Sequence, residues 1–146
     1  MADGLVSVNA YLEERKIYHG DLSPNQIILT EEGFAKVCDH GVIHPLKSGY
    51  LKTVSGAEKC LLAPELMNAY ARREHDPAVN VCKADVYTLG QTLLSAMTLD
   101  HTIKSCYDFV EGTINHDRVE SLLRECLTRY STFLVDFVRR MLLIKP

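Results

Sequence analysis

Two aspartates, Asp21 and Asp39, stand 18 residues apart, and each has a histidine and a glycine close by in the sequence. Between them lie two short apolar runs joined by a glycine-containing connection, which is the pattern of a strand, a turn and a second strand. A carboxylate at the first position could accept a proton from a hydroxyl, and a carboxylate one hairpin away could hold Mg²⁺. Such a pair has the outline of a phosphoryl-transfer site, since that chemistry needs positioning and charge neutralisation above all.

The elements that must position these aspartates begin with a helix and a hairpin. Leu5, Val8 and Leu12 recur with helical spacing and predict an amphipathic helix over residues 5–16. The stretch QIILT–EEG–FAKVC predicts a β-hairpin. Residues 42–62 show no sustained period and contain glycine, proline and hydroxyl residues, which is typical of a long loop that is functional or mobile.

Four helices are predicted after this loop. Pro64 opens the first, PELMNAY, in the N1 position that proline tolerates. The stretch KADVYTLGQTLLSAMT is apolar on most faces and predicts a helix that is buried on all sides. A third helix starts with a capping-box-like pair, Asp117 and Glu120, and the fourth starts near Phe133. The predicted fold class is therefore mainly α with a small β-hairpin.

Composition and charge exclude several classes of protein. The chain has 146 residues, of which 47% are hydrophobic and 24% charged, so it fits a single domain with a core. The formal net charge of −3 gives no basic surface for nucleic acid, and no apolar run reaches the roughly 20 residues that span a bilayer. We expect a cytoplasmic (intracellular) location, because there is no basic and apolar leader and the five scattered cysteines are interpreted as reduced thiols. Their spacing does not match a zinc site.

Four motifs, in this order, resemble the C-terminal lobe of a eukaryotic protein kinase. HGDLSPNQ (19–26) is similar to the catalytic loop HRDLxxxxN, and DHG (39–41) is similar to the metal-binding DFG. APE (63–65) is the same as in the family, and DVYTLG (85–90) is similar to the start of the buried central helix. The resemblance covers nearly all of the chain. It implies a single partial kinase-like domain over residues 1–146, a C-lobe without an N-lobe.

The resemblance also implies roles for individual residues. Asp21 takes the position of the proton acceptor, while Asp39 and Gln26 take the positions of the Mg²⁺ ligands. Structural positions are taken by His19, Glu65 and Asp85. The carboxylate of Asp85 is expected to anchor the catalytic loop through backbone N–H groups.

Several positions depart from the family pattern. Gly20 replaces the arginine that pairs with a phosphorylated activation loop, and Ser23 replaces a lysine that contacts the transferring phosphate. Gln26 replaces the metal-binding asparagine and carries its amide oxygen one methylene farther out, unless a one-residue slip of the loop presents Asn25. His40 replaces the phenylalanine of DFG, where an imidazole needs polar partners.

The chain is therefore interpreted as a pseudokinase-like binding or scaffolding module without a cofactor of its own. It has no glycine-rich phosphate loop and no V-A-I-K lysine, so half of the ATP pocket is expected to be absent. It also stops before the position of the arginine that pairs with the APE glutamate in the family, so Glu65 is expected to lack that partner. The alternative is the C-terminal part of an active Ser/Thr kinase that uses ATP and Mg²⁺ and has its N-lobe outside this chain. An unrelated all-helical interaction domain is the third reading, if the motif series is coincidental.

The expected partners are other proteins, with neither nucleic acid nor membrane. In a complete kinase the N-lobe covers the surface near His19, His40 and the strand IIL, and the final helices cover the apolar residues of FLVDFVRRMLLI. An exposed apolar patch beyond a few hundred Å² is uncommon on a soluble monomer. At least one of these two surfaces is therefore expected to be buried against another protein.

Overall fold

A computed structural model of the chain describes residues 2–20, 22–38, 61–74, 77–99 and 105–143. This part of the chain contains five α-helices and two small antiparallel sheets. The helices are α1 (Ala2–Glu14), α2 (Pro64–Ala71), α3 (Val81–Thr98), α4 (His116–Cys126) and α5 (Thr132–Met141). The sheets pair β1 (Ile27–Leu29) with β2 (Ala35–Val37) and β3 (Tyr107–Asp108) with β4 (Thr113–Ile114). The prediction of a mainly α fold with a small β-hairpin is confirmed.

Helix α3 forms the centre of the core. Twelve of its eighteen residues are buried, which confirms the prediction of burial on all sides. Its N-terminus is capped by Asn80, whose Oδ1 accepts the backbone N–H of Lys83 at 3.2 Å. Helices α1, α4 and α5 all pack against α3. Within the described residues, neither α3 nor any other helix is long and apolar enough to cross a bilayer.

Helix α5 approaches α3 closely at Gly90. A Cβ at Gly90 would lie 2.9 Å from the Cβ of Met141, so the missing side chain lets the two helices meet. Val135 and Val138 on the same face of α5 are fully buried. Part of the apolar face of the last helix is therefore covered within the chain. Phe133 is different, because it is 82% exposed.

The start of α4 differs from the prediction because another residue caps it. Asn115 is the N-cap, and its Oδ1 accepts the backbone N–H of Arg118 at 2.9 Å. Asp117 and Glu120, which were predicted to form a capping pair, lie within the helix. The Glu120 carboxylate instead pairs with Arg139 of α5 at 3.2 Å, so it ties two helices together.

The β3–β4 hairpin was not predicted, because two-residue strands are too short to show an alternating pattern. Its turn is built by Asp108, whose Oδ1 accepts the N–H groups of Val110 and Glu111, both at 3.0 Å. Gly112 follows with a φ of 66°, and a Cβ there would lie 2.2 Å from the Cβ of Ala71. The turn is therefore packed directly against the end of α2.

The predicted long loop, residues 42–62, lies outside the described residues except for its last two positions. Leu61 and Leu62 are buried and lead directly into α2, which begins at Pro64 as predicted. Helix α1 begins at residue 2 and ends at residue 14, about two or three residues earlier than its predicted bounds at each end. Periodicity fixes the type of an element better than its ends.

Candidate active site

Asp85, near the start of α3, holds two consecutive backbone N–H groups that precede Asp21. Its Oδ2 accepts the N–H of His19 at 2.7 Å, and its Oδ1 accepts the N–H of Gly20 at 2.9 Å. Burial raises the pKa of the Asp85 carboxyl, and the two backbone hydrogen bonds and the nearby imidazole oppose that rise. Each carboxylate oxygen binds one donor, so the backbone of residues 19 and 20 is fixed against the core helix.

His19 connects this segment to the end of the first hairpin. The imidazole is buried, and its Nε2 donates to the carbonyl oxygen of Cys38 at 3.1 Å, because a carbonyl can only accept. The N–H of Cys38 in turn donates to the carbonyl of Gln26 at 2.8 Å. The residue that immediately precedes Asp39 is therefore held by both ends of the catalytic-loop segment, residues 19–26. A buried and hydrogen-bonded imidazole suits a structural role.

The catalytic-loop segment is also held on the other side of Asp21. Leu22 is buried, and its carbonyl accepts a hydrogen bond from the Oγ1 of Thr92 in α3. Thr92 follows Asp85 by seven residues, about two helical turns, so both side chains lie on one face of α3. Gly20 has a φ of 76°, which glycine adopts without steric cost. One face of the central helix thus positions the backbone on both sides of a candidate proton acceptor.

Ser23 occupies the position where the resemblance implies a lysine. It is buried, and its carbonyl accepts the N–H of Gln26 at 2.9 Å, which closes the short 3₁₀ turn Pro24–Gln26. A serine hydroxyl carries no charge and is far shorter than a lysine side chain. The described part of the segment therefore offers a phosphate no cation at this position.

The described residues include one of the two predicted Mg²⁺ ligands. Gln26 is the one side chain among them that was predicted as a metal ligand, and its Oε1 is shielded from solvent. Mg²⁺ is usually held by carboxylates and keeps several waters, which a shielded amide oxygen does not accommodate. No group of three or more His, Cys, Asp or Glu side chains that could hold a metal occurs in the described ranges. Asp21, Asp39 and His40 lie outside those ranges.

Glu65, predicted as a structural residue, lies in the first turn of α2 and is half-buried. A carboxylate in a first turn interacts favourably with the positive end of the helix dipole. Burial raises the pKa of the Tyr87 phenol to about 12, and the nearby Cys106 and Glu65 add smaller rises. In the described part of the chain no ion pair engages Glu65.

A family model for the protein kinase domain matches residues 1–146. The chain belongs to the protein kinase family. The resemblance inferred from the motifs is thereby confirmed, and the segment held by Asp85 and Thr92 contains the residues that resemble the catalytic loop of that family. Thr92 itself was missed in the sequence analysis. The sequence does contain a signal for Thr92, because a hydroxyl residue two helical turns after Asp85 lies on the same face of α3.

Several curated relatives of this kinase-family chain are MAP kinase kinases. The MAP kinase kinase skh1/pek1 of Schizosaccharomyces pombe is 33% identical over 94 residues, which are 64% of this chain and 23% of that protein. The dual specificity mitogen-activated protein kinase kinase 7 of Homo sapiens is 31% identical over 107 residues, which are 73% of this chain and 25% of that protein. The chain spans about a quarter of the length of these relatives. No solved structure matches it.

Proposed function

We propose that the chain is a pseudokinase-like binding module, a kinase C-lobe whose catalytic-loop segment retains its anchors without the groups that act on phosphate. The observation that carries this proposal is a contrast within residues 19–26. Asp85 and Thr92 hold the backbone of the segment through buried hydrogen bonds. Gly20 and Ser23, however, are neutral at the two positions where the family pattern has an arginine and a lysine.

The loss of the lysine at position 23 bears directly on phosphoryl transfer, whereas the loss of the arginine at position 20 bears on the ordering of the activation loop. The reaction depends on positioning and on positive charge around the transferring group, with little covalent work by the protein. Removal of a single electrostatic donor from such a site typically reduces kcat by about 10²–10³-fold. The shielded amide oxygen of Gln26 is in addition a poor substitute for a Mg²⁺ ligand. The segment keeps its Asp85 anchor but lacks the arginine and the lysine of the family pattern. This combination is more consistent with binding than with catalysis.

The second candidate function is the C-terminal part of an active Ser/Thr protein kinase, with ATP and Mg²⁺ as cofactors and an N-lobe outside this chain. Two observations favour it. The curated relatives are named as kinases, one of them as a dual specificity kinase. The anchors of the catalytic-loop segment are also the contacts that a working loop would need.

A phosphoryl-transfer assay separates the two candidates. The longest gene product that contains the chain is incubated with radiolabelled ATP, Mg²⁺ and a general protein acceptor, with Asp21→Asn as the matched control. We expect equal incorporation for both proteins and no Mg²⁺-dependent rise in melting temperature at millimolar ATP, since a ligand that binds the native state would raise it. Transfer by the wild type that Asp21→Asn abolishes would replace our proposal with the second candidate.

We infer that the partner of this module is another protein and that it contacts the first hairpin. Ile28, Leu29 and Phe34, which we call the hairpin patch, are 56%, 57% and 68% exposed. Ile28 and Phe34 lie on the outward face of the hairpin, whereas Leu29 pairs with Ala35 on the opposite face, where Ala35 and Val37 of β2 pack against the core. Three neighbouring apolar side chains left open to solvent are typical of an interaction surface.

A charge introduced into the hairpin patch tests this contact. Phe34→Asp is compared with Val110→Asp, because Val110 is also an exposed apolar residue, 87% accessible, on the separate β3–β4 turn. Both variants are expected to fold, since neither side chain is buried. Co-purification of a stoichiometric partner should be lost with Phe34→Asp and retained with Val110→Asp. Equal binding by the two variants would exclude the hairpin patch as the contact.

A further inference from the structure

We draw no further inference here: the strongest candidate, the cavity of about 190 Å³ between the ends of α3 and α4 that is lined by Met97, Cys126 and the oppositely charged Glu125 and Arg129, carries none, because nothing in the described part of the structure shows what occupies or covers it.

Discussion

Asp85 and Gly20 are 65 residues apart in the sequence, yet the Asp85 carboxylate accepts the backbone N–H of Gly20 at 2.9 Å. The same carboxylate accepts the N–H of His19, so a single side chain of the core helix organises the turn before Asp21. This contact does not require a nucleotide or a metal. It therefore can stabilise the fold in a chain that has no catalytic activity.

Replacement of Asp85 by alanine should destabilise the chain by about 1–3 kcal/mol, because it strands the buried backbone donor of His19 and the partly buried donor of Gly20. The matched control is Asp108→Ala, since Asp108 also accepts two backbone N–H groups but lies in an exposed turn. Water replaces the lost acceptor at the exposed site, so that loss should be smaller. Urea denaturation measures both variants. If Asp108→Ala lowers the free energy of unfolding as much as Asp85→Ala does, the anchoring role of Asp85 is contradicted.

The stability that Asp85 confers should depend on pH in a defined direction. Burial raises the pKa of its carboxyl in the folded chain, so the folded state binds the proton more readily than the unfolded state. Proton binding by Asp85 therefore stabilises the folded chain. This stabilisation is fully present below the unfolded pKa, about 3.9, and is lost as pH rises through the folded pKa. The unfolding free energy of the wild type minus that of Asp85→Asn should therefore increase from pH 7 towards pH 4. A difference that shrinks on acidification would mean that the folded pKa is depressed.

Replacement of Tyr107 by phenylalanine should stabilise the chain by about 1 kcal/mol, because it removes a buried hydroxyl that has no hydrogen-bond partner in the described part. The ring itself should stay in place, since it stacks on Phe109 at a centroid distance of 5.7 Å. Tyr87→Phe is the control, because the Tyr87 hydroxyl accepts a hydrogen bond from the Nε2 of Gln91 at 3.1 Å. That variant should lose stability. Thermal melts that shift in the same direction for both variants would refute the assignment.

Gly112→Ala should be far more destabilising than Gly33→Ala, although both glycines have a positive φ, 66° and 83° respectively. Backbone strain alone costs about 1–2 kcal/mol per residue and applies to both sites. At Gly112 a Cβ would also lie 2.2 Å from the Cβ of Ala71, which adds about 1–3 kcal/mol of overpacking, whereas nothing lies within 4 Å at Gly33. Chemical denaturation of the two variants measures the difference. Equal losses would show that α2 is not fixed against the turn.

The sequence by itself determined the first hairpin, the start of α2 and the burial of α3. Two short apolar runs joined by a glycine-containing connection predicted the first hairpin, in which Ile27 pairs with Val37. A proline at N1 predicted the start of α2. Helix α3 is apolar on most of its faces, and this predicted its burial. These signals depend on residues within a few positions of one another, and they are therefore visible without a fold. The order of the kinase-like motifs added the family.

The sequence was less informative where a contact joins distant residues. It did not reveal that Thr92 holds the carbonyl of Leu22, or that the missing side chain of Gly90 lets α5 pack closely against α3. The physical reason is that burial, hydrogen bonding and helix packing depend on which surfaces meet. Only the tertiary structure brings those surfaces together.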